Sequence, residues 1–187
     1  QRPQRRGQLY LTKHRLMWFS ARHVFVKGRG GVPKVTKHFN ELPSLIGQKI
    51  GESDWITIDQ SRIDKFAEAT GDFQWIHVDV ARASKDMPLG KTIAHGYLTL
   101  SILPMLMQQI LGIEGVRNGI NYGSNTVRFT NQVPSGARIR GHQTVKDVKR
   151  RADGSTQLTY EVEIEIEGQD RPALVAETLG LVYPAEG

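Results

Sequence analysis

A chain of 187 residues has the length of one ordinary domain and can bury a core without covalent help. It has no cysteine, which excludes a disulfide framework, a thiolate zinc site and a cysteine nucleophile and fits a reducing, cytoplasmic compartment. The net charge of +6 belongs to one end: residues 1–40 hold ten of the 25 Lys and Arg and no acid, leaving 15 basic against 19 acidic residues, a net −4, over residues 41–187, so charge alone does not make the body a nucleic-acid binder.

Residues 1–37 are basic, show no sustained period and place Gly28, Gly30 and Gly31 before Pro33. They are expected to be a poorly ordered extension, read first as a dispensable tail and otherwise as a transit peptide or an arm for acidic partners. The apolar stretch at 16–26 contains Arg22 and His23 and lacks a small-residue cleavage site, so it is not read as a secretory signal. The domain proper is expected over residues 38–187.

Within it, 55–58 reads as a short strand. A helix follows, capped by Asp59 or by Ser61 with Asp64 three residues on, and Ile63, Phe66, Ala67 and Thr70 share its inner face. Gly71 is its expected stop. A helical turn is expected near 80–84, with Asp79 as its cap. Residues 97–111 then form the longest apolar helix candidate, apolar on most sides and hence buried, with a kink at Pro104. Thr99, Ser101, Gln108 and Gln109 keep this stretch from being a membrane span, which needs about 20 apolar residues. Strands follow at 118–130, 137–148, 158–167 and 173–182. The clearest alternates Leu158, Tyr160, Val162, Ile164 and Ile166 with Thr159 and four glutamates, the mark of a half-buried antiparallel strand. Asp153-Gly154 turns the chain before it, and in that register Arg138 and Arg140 face the glutamate row. This order predicts an α+β protein, a curved antiparallel sheet wrapped around a long central helix, the hot-dog arrangement.

The chemistry-bearing segment is Phe66-Ala-Glu-Ala-Thr-Gly-Asp-Phe-Gln-Trp-Ile-His77, followed by Ala94-His95-Gly96-Tyr97. It resembles the signature of MaoC-like (R)-specific enoyl-CoA hydratases, in which an aspartate after a Thr/Ser-Gly pair precedes a histidine by five residues and an Ala-His-Gly element opens the central helix. Asn121-Tyr-Gly and Val127-Arg-Phe129 extend the resemblance over most of residues 39–187. Many members carry Asn-Pro where this chain has Gln74-Trp75, and the Gln-Trp-Ile-His form is similar to a branch resembling nodulation protein N. The resemblance implies that Asp72 and His77 are catalytic, that an enoyl thioester of CoA or acyl carrier protein is the substrate with an (R)-3-hydroxyacyl product, that no prosthetic group is needed, and that the chain forms a homodimer or higher homo-oligomer. Trp75 would reshape the acyl pocket.

The residue types suit that chemistry. Hydration of a conjugated thioester needs water deprotonated at Cβ, a proton delivered at Cα and a stabilised enolate oxygen. A histidine near its ordinary pKa moves protons at neutral pH. An aspartate set among Phe73, Trp75 and Ile76 is expected in an apolar pocket, which favours a protonated carboxyl; which of the pair is acid and which base stays open. The oxyanion donor is expected to be the Gly96 amide at the start of the buried helix, where backbone N–H groups lack internal partners. His95, Tyr97, Trp75 and Asn125 complete the expected oxyanion and substrate-binding set. Taken singly, Asp72 reads as a loop cap, His77 as a packed core residue, His95 as a loop-orienting group, and Asn125 and Arg128 as solvent-facing strand polars. Lys146, Lys149, Arg150 and Arg151 read as a solvated hairpin tip before they read as a CoA phosphate site. His14, His23 and His38 have no acidic companions in the sequence pattern, so no metal site is expected. Two alternatives remain: a thioesterase on the same fold, and a non-catalytic acyl-thioester binder or assembly subunit.

Overall fold

The computed structural model describes residues 32–185. Most of the expected extension, with His14 and His23, lies outside the described residues. The part that is described is attached to the body: Val35–His38 forms β1 and pairs in parallel with β4, Leu111–Glu114. A 3-10 helix, Phe39–Leu45, follows, with the His38 ring accepting from the Asn40 amide and Glu41 reaching back to the His38 amide. It leads to β2, Lys49–Glu52, and β3, Ile56–Ile58.

Helix α1, Gln60–Thr70, forms where the periodicity placed it. Of the two candidate caps, Asp59 serves, its carboxylate accepting from the Arg62 amide at 2.8 Å, while Ser61 lies inside the helix. Ile63 and Ala67 are buried. Gly71 ends the helix at φ +77°, a left-handed position that favours glycine. Two short helices follow, α2 at Trp75–Val78 and α3 at Val80–Asp86, the second capped by Asp79 through the Arg82 amide.

The single central helix expected over 97–111 is two helices, α4 at Gly96–Ser101 and α5 at Leu103–Gln108, joined at Ile102. Pro104 has no N–H to give to the carbonyl four residues back, and its ring crowds that carbonyl. The chain therefore breaks just before it, and Leu111 passes into β4.

Strands β5 (Val116–Phe129), β6 (Ala137–Arg150), β7 (Thr156–Ile166) and β8 (Leu174–Pro184) make the antiparallel sheet, in the order β2-β6-β7-β8-β5, with β3 also paired to β6. The hairpin register is the expected one. Arg140 lies opposite Glu165, and its Nε donates to that carboxylate at 2.6 Å; Arg138 reaches Glu167 at 2.7 Å. Arg140 also holds Glu52 at 2.6 Å, and Trp55 lies under its guanidinium. These charges occupy the outer face of the sheet. The inner face packs Ile139, Val162, Ile164, Leu174 and Ala176 against Leu98, Ile102, Leu103 and Leu106 of the two central helices. The result is the hot-dog fold. No helix among the described residues is long and apolar enough to cross a membrane.

Gly141 sets how closely α5 can approach the sheet. A Cβ there would lie 3.2 Å from the Leu106 Cβ and 2.5 Å from the Met107 methyl. Gly141→Val is expected to push α5 off β6 and lower stability by roughly 1–3 kcal/mol, measured as a lower midpoint in urea unfolding.

Candidate active site

The site is assembled where α1, α2 and the segment leading into α4 meet. The left-handed turn at Gly71 reverses the chain after α1, so that Asp72 emerges at the surface and His77 is carried back towards the core one helical turn later. The Asp72 carboxylate accepts weakly from the Gln74 amide at 3.3 Å, which leaves most of its capacity free.

His77 is 7% exposed. Its Nδ1 lies 2.7 Å from the carbonyl of Ile93. A carbonyl only accepts, so Nδ1 carries the proton and the neutral ring keeps its lone pair on Nε2. Burial lowers the pKa of His77 below the ordinary 6.5; the Ile93 bond partly opposes this, the neighbouring His95 adds to it, and Asp72 opposes it. The ring is therefore neutral at neutral pH, with one nitrogen able to take a proton.

His95, 2% exposed, stacks on His77 with ring centroids 3.8 Å apart, and Phe66 leans on its other side. Its Nε2 donates to the backbone carbonyl of Asp72 at 2.9 Å and lies 4.0 Å from the Asp72 carboxylate. The loop-orienting role read for His95 is thus visible as a bond that fixes the Asp72 backbone. Its Nδ1 is buried without a hydrogen-bond partner among the described residues. Donor atoms of Asp72, His77 and His95 lie within 4.8 Å of one another. That is the span a single water bridges with two hydrogen bonds of about 2.8 Å, and the same three groups have the donor types of a cation site.

Gly96 opens α4. Its amide is one of the first helical N–H groups, which have no intrahelical partner. A Cβ at this position would crowd the Phe129 ring at 3.0 Å, so glycine lets that ring pack against the start of α4. Tyr97, 69% exposed, meets the edge of Phe129 with centroids 5.6 Å apart. Trp75 sits half-buried on the turn that carries His77, with the Arg82 guanidinium 4.0 Å over its ring.

Two expectations need correction. Asp72 is not in an apolar pocket: its side chain is 54% exposed and Phe73 is 58% exposed, because the left-handed Gly71 turn projects both outward. Asn125 is not brought to the site. It lies in a bulged part of β5 and its amide donates to Glu177 on the outer face, which also holds Lys146. Lys146 is thereby paired, Arg150 reaches Asn40, and Arg151 lies over Tyr122, all towards the hairpin end of β6 rather than its Ala137 end beside β3. The Ile93 carbonyl had no signal in the sequence, since a backbone acceptor carries no residue signature.

A groove of about 980 Å³ begins one turn beyond Gly96, at Leu100, and runs between the central helices and β5, past Met107, Ile120, Tyr122 and Leu181. β5 is hydrogen-bonded to β8 on one side and has no strand partner on the other among the described residues.

The family described as a MaoC like domain matches residues 41–166. Over 139 residues the chain is 46% identical to 3-hydroxyacyl-thioester dehydratase Z of Mycobacterium tuberculosis, a match that spans 74% of this chain and 91% of that protein. It is 44% identical over 145 residues to nodulation protein N of Rhizobium leguminosarum bv. viciae, spanning 76% and 89%. Among solved structures, a monoamine oxidase regulatory protein from Archaeoglobus aligns with a TM-score of 0.63 at 32% identity, covering 75% of this chain and 92% of that one.

Because a lowered pKa keeps His77 neutral until the pH falls below 6.5, kcat/KM is expected to hold through neutrality and to fall only below that value. Stability follows the same sign: the contribution of His77 is present above its unfolded pKa and is lost as pH falls through the folded one. His77→Gln should remove that acid-side loss in thermal unfolding followed against pH.

Proposed function

The chain belongs to the MaoC-like domain family and is a hydratase/dehydratase enzyme; from that premise we propose that it catalyses the reversible hydration of trans-2-enoyl-CoA to (R)-3-hydroxyacyl-CoA, with Asp72 and His77 as its acid–base pair. The observation that supports this reading is the placement of donor atoms of Asp72, His77 and His95 within 4.8 Å of one another, with His77 Nδ1 engaged by the Ile93 carbonyl so that Nε2 is left to take a proton, and with Gly96, at the start of α4, next in the chain to His95.

In the hydration direction the pair holds one water. A proton passes from that water to the pair as its oxygen bonds to Cβ. The enolate oxygen that develops at the thioester is met by the Gly96 N–H. A proton from the pair then goes to Cα, and the reverse sequence expels water. Losing one oxyanion donor in comparable sites costs on the order of 2.7–4 kcal/mol. The step is proton transfer and addition throughout, and the side chains present supply the groups it uses, so no prosthetic group is assigned. The exposure of Asp72 and Tyr97 leaves room for a thioester carrier, CoA or acyl carrier protein, to approach from solvent.

The edge of the 14-residue strand β5, which has no strand partner among the described residues, with Ile120, Tyr122 and Phe129 exposed along the strand, supports a homodimer. Such an edge is covered in a stable protein by another strand, and an antiparallel copy of the same strand is self-complementary. Light scattering on the purified chain is expected to give twice the chain mass or more, and Asn121→Pro on β5 to shift it towards the monomer.

The functional assignment is tested by following loss of enoyl-thioester absorbance with crotonyl-CoA and longer enoyl-CoAs. The parent is expected to consume substrate without releasing thiol. Asp72→Asn and His77→Ala should each lower the rate by roughly 10²–10⁴-fold. Thiol release would make the protein a thioesterase instead, and binding without turnover would make it a non-catalytic acyl-thioester binder.

A further inference from the structure

We propose that Gln60, outside the recognised motif, is a positioning residue for His77: its side-chain amide ties the turn carrying the histidine to the segment whose carbonyl holds the histidine ring. This rests on the assignment of His77 as a catalytic residue.

Three segments, distant in sequence, must keep a fixed relation for the His77 Nδ1 to meet the Ile93 carbonyl. They are the start of α1, the turn α2, and residues 92–94. Gln60, the first residue of α1, is bonded to both of the others. Its Nε2 donates to the backbone carbonyl of His77 at 2.8 Å and to Asp64 Oδ1 at 2.7 Å. Its Oε1 accepts from the hydroxyl of Thr92 at 2.5 Å. Thr92 is 1% exposed and immediately precedes Ile93, whose amide donates to the Ile76 carbonyl at 3.0 Å while its own carbonyl receives His77 Nδ1. A closed loop of bonds results: Gln60 to His77, His77 to Ile93, Ile93 along the chain to Thr92, and Thr92 back to Gln60.

The amide group is matched to this task. Both partners of Nε2 are oxygens that only accept, and the partner of Oε1 is a hydroxyl that donates. Rotating the amide by half a turn would set oxygen against the His77 carbonyl and the Asp64 carboxylate, so its orientation is dictated. Asp59, not Gln60, caps α1, and Gln60 is the first helical position, where most residues are tolerated. The helix therefore does not require a glutamine there, whereas the clamp does.

The titratable groups around His77 are His95, stacked on it, and Asp72; Asp64 stands on the far side of Gln60. Loosening the clamp lengthens the Ile93 contact, the interaction that partly supports protonation of His77. The acid limb of kcat/KM then moves to lower pH. At the same time the ring is less well aimed, so the rate falls. A helix-stabilising role alone would lower the melting temperature and leave both the pH profile and kcat of the folded enzyme in place.

The test compares Gln60→Ala, Thr92→Val and Thr92→Ser with the parent in steady-state hydration of crotonyl-CoA across pH 5–9, with melting temperatures recorded for each. The expected result is a fall in kcat of roughly 10–100-fold for Gln60→Ala and Thr92→Val, KM within about threefold, and an acid limb displaced to lower pH. Thr92→Ser, which keeps the hydroxyl, should return kcat to within about threefold of the parent. Unchanged kcat and superimposable pH profiles in Gln60→Ala overturn the proposal, as does a loss in Thr92→Val that Thr92→Ser shares in full. His77→Ala run alongside separates the two claims: no loss there sinks the assignment of His77 itself, while loss there with an unaffected Gln60→Ala sinks only the clamp.

Discussion

The hydrogen bond from His77 Nδ1 to the Ile93 carbonyl, 2.7 Å long, is the contact on which the rest of the site depends. It decides which ring nitrogen carries the proton, and so which one is free to receive another. It also joins the turn after α1 to the approach to α4, together with the Ile93 amide on the Ile76 carbonyl, His95 on the Asp72 carbonyl and the Gln60 bridge. The short antiparallel contact of Ile93 with Pro134, and the Ala94 amide on the Val133 carbonyl, anchor that approach to the sheet-forming half of the chain. Histidine orientation is therefore inherited from the fold and not from a local loop.

Electrostatics divide the molecule into two regimes. On the outer face of the sheet, Arg140 is shared between Glu52 and Glu165, and His142 adds to the same carboxylate at 2.7 Å. These groups are partly exposed, and such pairs contribute modestly; their clearer effect is to set strand register. At the site the balance reverses. Burial disfavours a charge on His77, and His95 stacked against it adds to that. His77 therefore stays neutral at neutral pH, with Nε2 unprotonated. The Asp72 side chain, 54% exposed, stands beside the two rings on the solvent side.

Much of this was legible in the sequence, for reasons that differ by element. The β6–β7 hairpin was readable because alternation of glutamates with apolar residues has only one consistent register once Asp153-Gly154 is taken as the turn, and Arg138 and Arg140 then fall opposite acids. Helix α1 was readable because cap, face and stop agree. The central helix was misjudged in length: apolar composition does not distinguish a helix from the buried strand β4 that follows it, and Pro104 breaks the helix rather than bending it. At the site, Asp72, His77 and His95 come within 4.8 Å of one another, the three polar residues that the motif singles out. The exposure of Asp72 was not legible, since aromatic neighbours in sequence say nothing about which way a left-handed glycine turn sends them. Asn125 went the other way because a bulge in β5 turned it to the outer face. The Ile93 carbonyl and the Gln60 amide had no signature, being contacts between segments 16 and 17 residues apart.

The proposed mechanism stands or falls on the protonation pattern of His77. Long-range ¹H–¹⁵N correlation spectra of the folded protein, with His77→Gln used to assign the ring, report it directly. At pH 7 the predicted result is a neutral imidazole with the proton on Nδ1 and an unprotonated Nε2. A ring protonated on Nε2 alone, or an imidazolium at that pH, would contradict the role assigned to the Ile93 carbonyl and with it the mechanism.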